Sequence, residues 1–451
     1  MKKLIDIIGA GLAGSEAALQ LADRGVSVRL FEMRPATATE VHTTDKCAEL
    51  VCSNSLKSEK PESAAGMLKH ELAELGSQLL EMAYQTRVAA GGALAVDREA
   101  FADSVTARIE THPNIELVRE RVDTVARDAD AVLLASGPLT SATLADAIVA
   151  LTGKEHFAFY DAAAPIVMAD SLDRSKIFVQ NRYEESGDGG DYLNAPFSKE
   201  AYEAFISELV AAQRVIAKDF ETRDLFQACQ PIEEIARKGI DAPRFGTLKP
   251  VGLTDPATGR RPWAALQLRA EDANAQSYNL VGFQTNLTFS EQARVFRMIP
   301  GLEHAEFARY GVMHRNTFID APHLLDADLV VRTTRESACP VYVAGQLAGT
   351  EGYCEAIMSG LHAALSIFAY LTDCDMPKMP ADTAFGSLLA YATDPAVEDY
   401  QPMHVNFGII EPLAERIKNK GQRYAAYAAR GSEALVPYKQ RLTDLGLLHH
   451  G

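Results

Sequence analysis

Hydrophobic patterning is most regular at the start of the chain. Apolar and β-branched residues dominate Leu4 to Ile8, and the run breaks at Gly9-Ala10-Gly11-Leu12-Ala13-Gly14. Apolar spacing of helical period then holds from Ser15 to Arg24 and stops at Gly25. A second strand is expected over Val26 to Phe31, which completes a β-α-β unit of the size a parallel crossover needs. Two later buried-strand runs, Ala131 to Ala135 before Ser136-Gly137-Pro138 and Val341 to Ala344 before Gly345, are expected in the same sheet. The second of them opens toward a helix near Ala356 to Tyr370. Between them lie strands at Ile177 to Gln180 and Tyr278 to Phe283 and a helix through Ser198 to Lys218.

The expected fold class is α/β: a Rossmann-like nucleotide domain interrupted by an inserted α+β domain, with a helical C-terminal segment. The corresponding spans are residues 1–154, 155–304 and 305–451. The acidic, glycine-rich run Glu184 to Asp191 reads as an exposed loop, and Gly421, Gly431 and Pro437 read as breaks in the last hundred residues.

With 451 residues and 47% hydrophobic composition, the chain can bury two or three cores. The amino terminus is interrupted by Asp6 and lacks the apolar core of a signal peptide, so a soluble, cytoplasmic protein without membrane contact is expected. Six cysteines (Cys47, Cys52, Cys229, Cys339, Cys354 and Cys374) form no C-x-x-C pair, which argues for free thiols and against a zinc ribbon, and no metal site is expected.

A net charge of −17 speaks against nucleic acid unless positive charge is local. It is local: Ala236 to Ala270 holds seven basic residues against two acids, and Arg416 to Arg441 holds seven against Glu433 alone. That polarity suits a polyanion gripped by two patches, and equally suits two solvated faces. In the second patch Tyr424, Tyr427 and Tyr438 alternate with the cations, as rings that stack unpaired bases would, or as rings on the buried side of a helix.

The glycine run has a specific physical reading. Gly9 permits a tight turn, Gly11 lets the backbone approach a pyrophosphate, and Gly14 lets helix and strand pack closely, while the helix amino terminus offers partial positive charge. Glu32, at the end of the second strand, accepts hydrogen bonds from an adenosine ribose and repels a 2′-phosphate. Cys52 in LVCSNS and Cys229 in QACQPIEE sit in polar rather than core-like settings, although most free cysteines are buried small hydrophobes. Arg269 and His314-Arg315-Asn316-Thr317 are candidate donors for an anion, or an ordinary surface turn. Tyr353 is placed to lie against a flat cofactor, or in the core.

Together these segments resemble one family, the folate- and FAD-dependent tRNA uracil-C5 methyltransferases acting on the T-loop uridine at tRNA position 54. That family is related to the flavoproteins that modify wobble uridines. The resemblance runs through GAGLAGSEAA, LFEMRP, CSNSL, GGALAVDRE, SGPLTS, CQPIE, YNLVGFQTNL, HRNTFI, AGQLAGTEGY and NFGIIEPL. It implies a flavoprotein of the two-dinucleotide-domain type that holds FAD, takes methylenetetrahydrofolate as one-carbon donor, is reduced by NADH or NADPH, and binds the T-arm of tRNA.

Carried over by position, Cys229 matches the nucleophile that adds to uracil carbon 6, and Cys52 the flavin-side cysteine, a base or a shield. Gly9, Ala10, Gly11, Leu12, Ala13, Gly14, Glu32, Arg34, Gly137, Gly345, Gln346 and Tyr353 match the cofactor-holding positions; Gln346 stands where most two-dinucleotide flavoproteins have Asp. The alternatives are a flavin-dependent NAD(P)H oxidoreductase of a small metabolite, a wobble-uridine enzyme, and an RNA scaffold without chemistry. Oligomeric state is not readable from the sequence.

Overall fold

The computed structural model describes the chain apart from residues 1, 40, 154–156, 184–189, 217–229, 399 and 449–451, and apart from the side chains of 157–161, 314 and 315. Strands Leu4–Ile8 and Ser27–Phe31 pair in parallel, with Leu4 opposite Ser27. Ala131–Leu134 lies on the other side of Leu4–Ile8, Val341–Val343 pairs beyond it, and Ile115–Val118 closes the opposite edge. The chain therefore leaves this sheet after Leu134 and returns at Val341, as the two buried-strand runs predicted. Because all five strands run the same way, the turns at Gly9, Ser136 and Gly345 emerge side by side at their carboxyl ends, where ligands bind in such sheets.

Two helices cover the turns. Leu12–Asp23 is buried along almost its whole length and packs against Tyr353–Leu371, a 19-residue apolar helix. By length and composition the second helix could cross a membrane, but most of it is inside this fold. Their close approach depends on Gly360, where a Cβ would fall 2.2 Å from the carbonyl oxygen of Ala13.

The middle of the chain builds a second, antiparallel sheet in the order Phe178–Val179, Tyr192–Phe197, Ala264–Ala270, Ser277–Leu280, Ile166–Met168, Phe307–Arg309. Its last strand lies just past residue 304, the limit read from the sequence. A separate core of Phe197, Tyr202, Phe205, Phe283 and Phe296 supports it. The helix expected through Lys218 runs Lys199–Ala211, capped by the Ser198 side chain on the Ala201 amide. A small sheet of Ser55–Ser58, Arg87–Val88 and Ala93–Val96 was not legible, its strands being only two to four residues long.

The carboxy-terminal part holds helices Ala384–Thr393 and Lys420–Asp444. The latter continues through Gly421, Gly431 and Pro437, contrary to the expected breaks. Tyr427, Leu435, Tyr438 and Leu442 bury one stripe of it, and that packing outweighs local propensity. Gly431 is where the helix comes closest to its neighbour, since a Cβ there would sit 3.0 Å from Met67 Cε.

Candidate functional site

The glycine run shapes a cleft. Gly9 has φ +107°, and a Cβ on it would lie 2.5 Å from the Ala135 carbonyl oxygen; a Cβ on Gly14 would lie 1.9 Å from the Gly9 carbonyl oxygen. Gly11 differs, for a Cβ there meets no atom within 4 Å and would point into open space. Gly11 also begins helix Leu12–Asp23, and no side chain caps it, so the first-turn amides are available to an anion.

The cleft is lined by Gly9, Gly11, Leu12, Ala13, Glu32, Arg34, Cys52, Gly137, Gly345, Gln346 and Tyr353. Of the sequence-predicted residues, Ala10 and Gly14 lie behind this lining. Ala10 is fully buried and its amide donates to Glu32 Oε2 at 3.3 Å.

At the end of the second strand, Glu32 is clamped. Arg34 Nε donates to Glu32 Oε1 at 2.8 Å, while Nη1 reaches Glu49 Oε2 at 2.9 Å and the Thr44 carbonyl, and Nη2 the Lys46 carbonyl. Arg34 thus braces the carboxylate, and most of its N–H groups are engaged by protein. Burial alone would raise Glu32, yet the Arg34 guanidinium outweighs it and holds the carboxyl below its usual range. His42 nearby is pushed down to about 4, by burial and then by Arg34, so it is neutral near pH 7. Glu32 is an ionised acceptor facing the cleft, as a ribose requires.

Tyr353 opens helix Tyr353–Leu371, and its hydroxyl accepts the amides of Cys52 at 3.0 Å and Ser53 at 3.1 Å. Burial raises its phenol, so it remains protonated. The same loop is held from the other side by Arg98, which donates to the Leu50 carbonyl and pairs with Glu271 at 2.7 Å. Cys52 Sγ lies 3.8 Å from the Ala162 carbonyl oxygen, on the seam with the inserted unit.

Arg309, tied to the Val41 carbonyl at 3.0 Å, has its guanidinium lowered by burial and by the charge of Arg98, and it also feels Cys52 and Tyr353. The thiol is therefore in an electropositive corner of the cleft. Cys47 and Cys354, by contrast, are pushed up to about 11 by burial.

Other expectations sort differently. Arg269 is no free donor: it is buried, and Nε binds Asn54 Oδ1 at 2.8 Å. Asn316 lines the cleft, while the side chains of His314 and Arg315 lie outside the described residues. Cys229 lies outside them as well. The segment after it is anchored by Glu233, which accepts the Asn286 amide at 2.6 Å and the Thr285 hydroxyl at 3.0 Å. Tyr427 and Tyr438 are buried and Tyr424 stacks on Phe407 at 4.1 Å, so these rings pack inward.

Arg98 and Glu351 fall inside motifs that carried the resemblance, but His42, Glu49 and Arg309 had no local signal. They meet the cleft only through tertiary folding.

The open space beside Gly11, the uncapped helix terminus and the ionised Glu32 fit an adenine dinucleotide, and the fold and cleft define a flavoprotein of the FAD-binding class. The family model for glucose inhibited division protein A matches residues 4–375. A protein of Moorella thermoacetica named methylenetetrahydrofolate--tRNA-(uracil-5-)-methyltransferase TrmFO is 50% identical over 96% of this chain and 98% of its own. The Bacillus pumilus protein of that name is 46% identical, over 98% of this chain and 100% of its own.

Among solved structures, Aquifex aeolicus GidA superposes with a TM-score of 0.71 at 15% identity, covering 100% of this chain and 74% of that one, a likeness of fold. The chain belongs to the glucose inhibited division protein A family and, within it, to the TrmFO group.

Proposed function

We propose that this protein methylates carbon 5 of uridine 54 in the T-loop of tRNA, with methylenetetrahydrofolate as one-carbon donor and NADH or NADPH as reductant of bound FAD. What carries the reading is the near-half identity, along almost the whole chain, to proteins named for methylenetetrahydrofolate-dependent tRNA uracil-5 methylation. The cleft supports it with a thiol on the wall of a dinucleotide site. When bound, the flavin supplies the two-electron reduction that turns a transferred methylene into a methyl group.

The chain's own residues do the rest. Gly11 and the first turn of helix Leu12–Asp23 receive the pyrophosphate, and Glu32 accepts the ribose hydroxyls. Cys229, as thiolate, adds to uracil carbon 6 and makes carbon 5 nucleophilic; after one-carbon transfer the carbon 5 proton leaves to a base, and expulsion of the thiolate restores the ring. Cys52, in its electropositive corner, is assigned to accept that proton or to shield the site. The protein works in the cytoplasm, on tRNA held by the T-arm, without a membrane.

Incubation with unmodified tRNA, NADPH and labelled methylenetetrahydrofolate is expected to give 5-methyluridine at position 54; its absence would overturn the reading. Cys229→Ala is expected to keep the flavin spectrum and lose methylation. Retained activity in that variant removes the nucleophile assignment.

A further inference from the structure

One surface of the inserted unit has no part in the reaction above. Trp263 is the chain's one tryptophan. The Arg244 guanidinium carbon lies 3.8 Å from the centroid of its ring, and Lys199 Nζ lies 5.5 Å from it. Beside this stack the Phe245 ring is 74% exposed, with Arg244 5.5 Å from its centroid, and Ile240 is 51% exposed. Arg260 and Arg261, just before Trp263, are exposed and form no ion pair among the described residues.

The cations are fixed rather than loose. Arg244 Nε donates to the Trp263 carbonyl at 2.8 Å, and its backbone amide donates to the Tyr202 hydroxyl at 3.2 Å. Arg244 also has no carboxylate partner among the described residues, whereas Lys199 is shared with Glu203 at 3.7 Å. Asp241 is the other nearby acid.

A bare aromatic ring next to an aligned, unneutralised guanidinium has little stabilising value for a monomer. It is the pairing that single-stranded nucleic acid uses, the ring stacking a base and the cations neutralising phosphates. In a chain of net charge −17 such a patch is matched to a polyanion. It also adjoins the segment that follows Cys229: Ala242–Phe245 follows helix Ile232–Arg237, and Lys238 Nζ donates to Gln230 Oε1 at 2.6 Å.

We propose that Phe245, the Arg244–Trp263 stack and the Arg260–Arg261 pair form a docking surface for unpaired nucleotides of the RNA substrate. Phe245 stacks a base, and Arg244, Arg260 and Arg261 take the flanking phosphates. The inference rests on tRNA being the substrate.

The lone tryptophan makes the surface directly observable. Titrating the holoenzyme with unmodified tRNA is expected to change Trp263 emission, with the midpoint found for binding of labelled tRNA. Phe245→Ala is expected to raise the dissociation constant about tenfold, the size of one lost base stack. Arg260→Gln with Arg261→Gln is expected to flatten the salt dependence of binding by about one unit per cation.

Flavin content and NADPH-driven flavin reduction should match the wild type in both. If the wild type binds and methylates tRNA while the variants bind it equally well and the emission is silent, this surface falls and the function stands. An altered oligomeric state in Phe245→Ala with unchanged tRNA affinity would assign the surface to a second copy and overturn the proposal. Failure of the wild type to bind tRNA at all sinks both readings.

Discussion

The phenol oxygen of Tyr353 lies 3.0 Å from the amide nitrogen of Cys52, a contact across 301 positions of sequence. It ties the helix of the returning strand to the loop that carries the cleft thiol, and Ser53 donates to the same oxygen. The position of Cys52 is thus set by the half of the nucleotide unit that the chain completes last.

Tyr353→Phe removes the acceptor and leaves both amides without a partner. The two amides are part-buried, so water recovers some of the about 1–3 kcal/mol that a fully buried orphaned donor costs. The variant is expected to unfold at lower denaturant than the wild type and to alkylate faster at Cys52 with iodoacetamide. Equal labelling rates and equal midpoints would show that the phenol does not hold the loop.

Gly11 and Gly14, three positions apart in the sequence, should behave differently. At Gly14 an added methyl collides with the Gly9 carbonyl oxygen, so Gly14→Ala is expected to fold poorly. At Gly11 it meets no protein atom within 4 Å, so Gly11→Ala is expected to fold normally, with a melting point close to that of the apoprotein, and to lose affinity for FAD at least about tenfold. Flavin absorbance together with thermal melts separates the two. A yellow Gly11→Ala protein would mean that the backbone there is not what the pyrophosphate approaches.

How much of this was legible follows from what acts locally. The turn at Gly9 to Gly14, the acid at Glu32 and the return of the chain at Val341 are written in neighbouring residues, and the parallel sheet follows from them. Arg269 was misjudged because its partner, Asn54, lies 215 positions away. The interleaved tyrosines of the last helix suited a base-stacking face and a buried one equally. They pack inward because Phe407, before the helix, supplies a ring for Tyr424 and Tyr427. His42 and Glu49 line the cleft from the stretch after the second strand, and Arg309 joins that stretch at the Val41 carbonyl from 268 positions away, a meeting that no window of sequence contains.

Glu233 gives a pH dependence whose sign is fixed. Burial pushes its carboxyl up to about 7, from an ordinary 4.5, against the hydrogen bonds from Asn286 and Thr285. Below pH 4.5 the group is protonated whether the chain is folded or not, and its contribution to stability is fully present. Between 4.5 and 7 only the unfolded chain ionises, so stability falls as pH rises, by on the order of 3 kcal/mol, and above 7 the loss is complete. Glu233→Gln keeps an acceptor and does not titrate. Urea unfolding at pH 5 and pH 8 is expected to show the wild type losing stability relative to this variant; a pH-independent difference would contradict the burial account.

The carboxy-terminal cations divide into two sets. Arg430 pairs with Asp382 at 3.1 Å and Lys439 with Glu74 at 2.8 Å, so each neutralises a carboxylate of its own fold. Arg416, Lys418 and Lys420 are exposed and make no ion pair among the described residues, and Arg416 and Lys418 border one shallow hollow with Arg423. Three free cations within five positions contribute to phosphate binding by releasing counterions, an effect that depends on salt and hardly at all on sequence. The triple change to glutamine is therefore expected to weaken tRNA binding uniformly and to lower the slope of log affinity against log salt by about three units at most, with the melting point unchanged. Lys439→Gln, which breaks a pair internal to the fold, is expected to leave that slope where it is in the wild type. If both variants change the slope alike, the distinction between paired and unpaired cations does not describe how this face meets RNA.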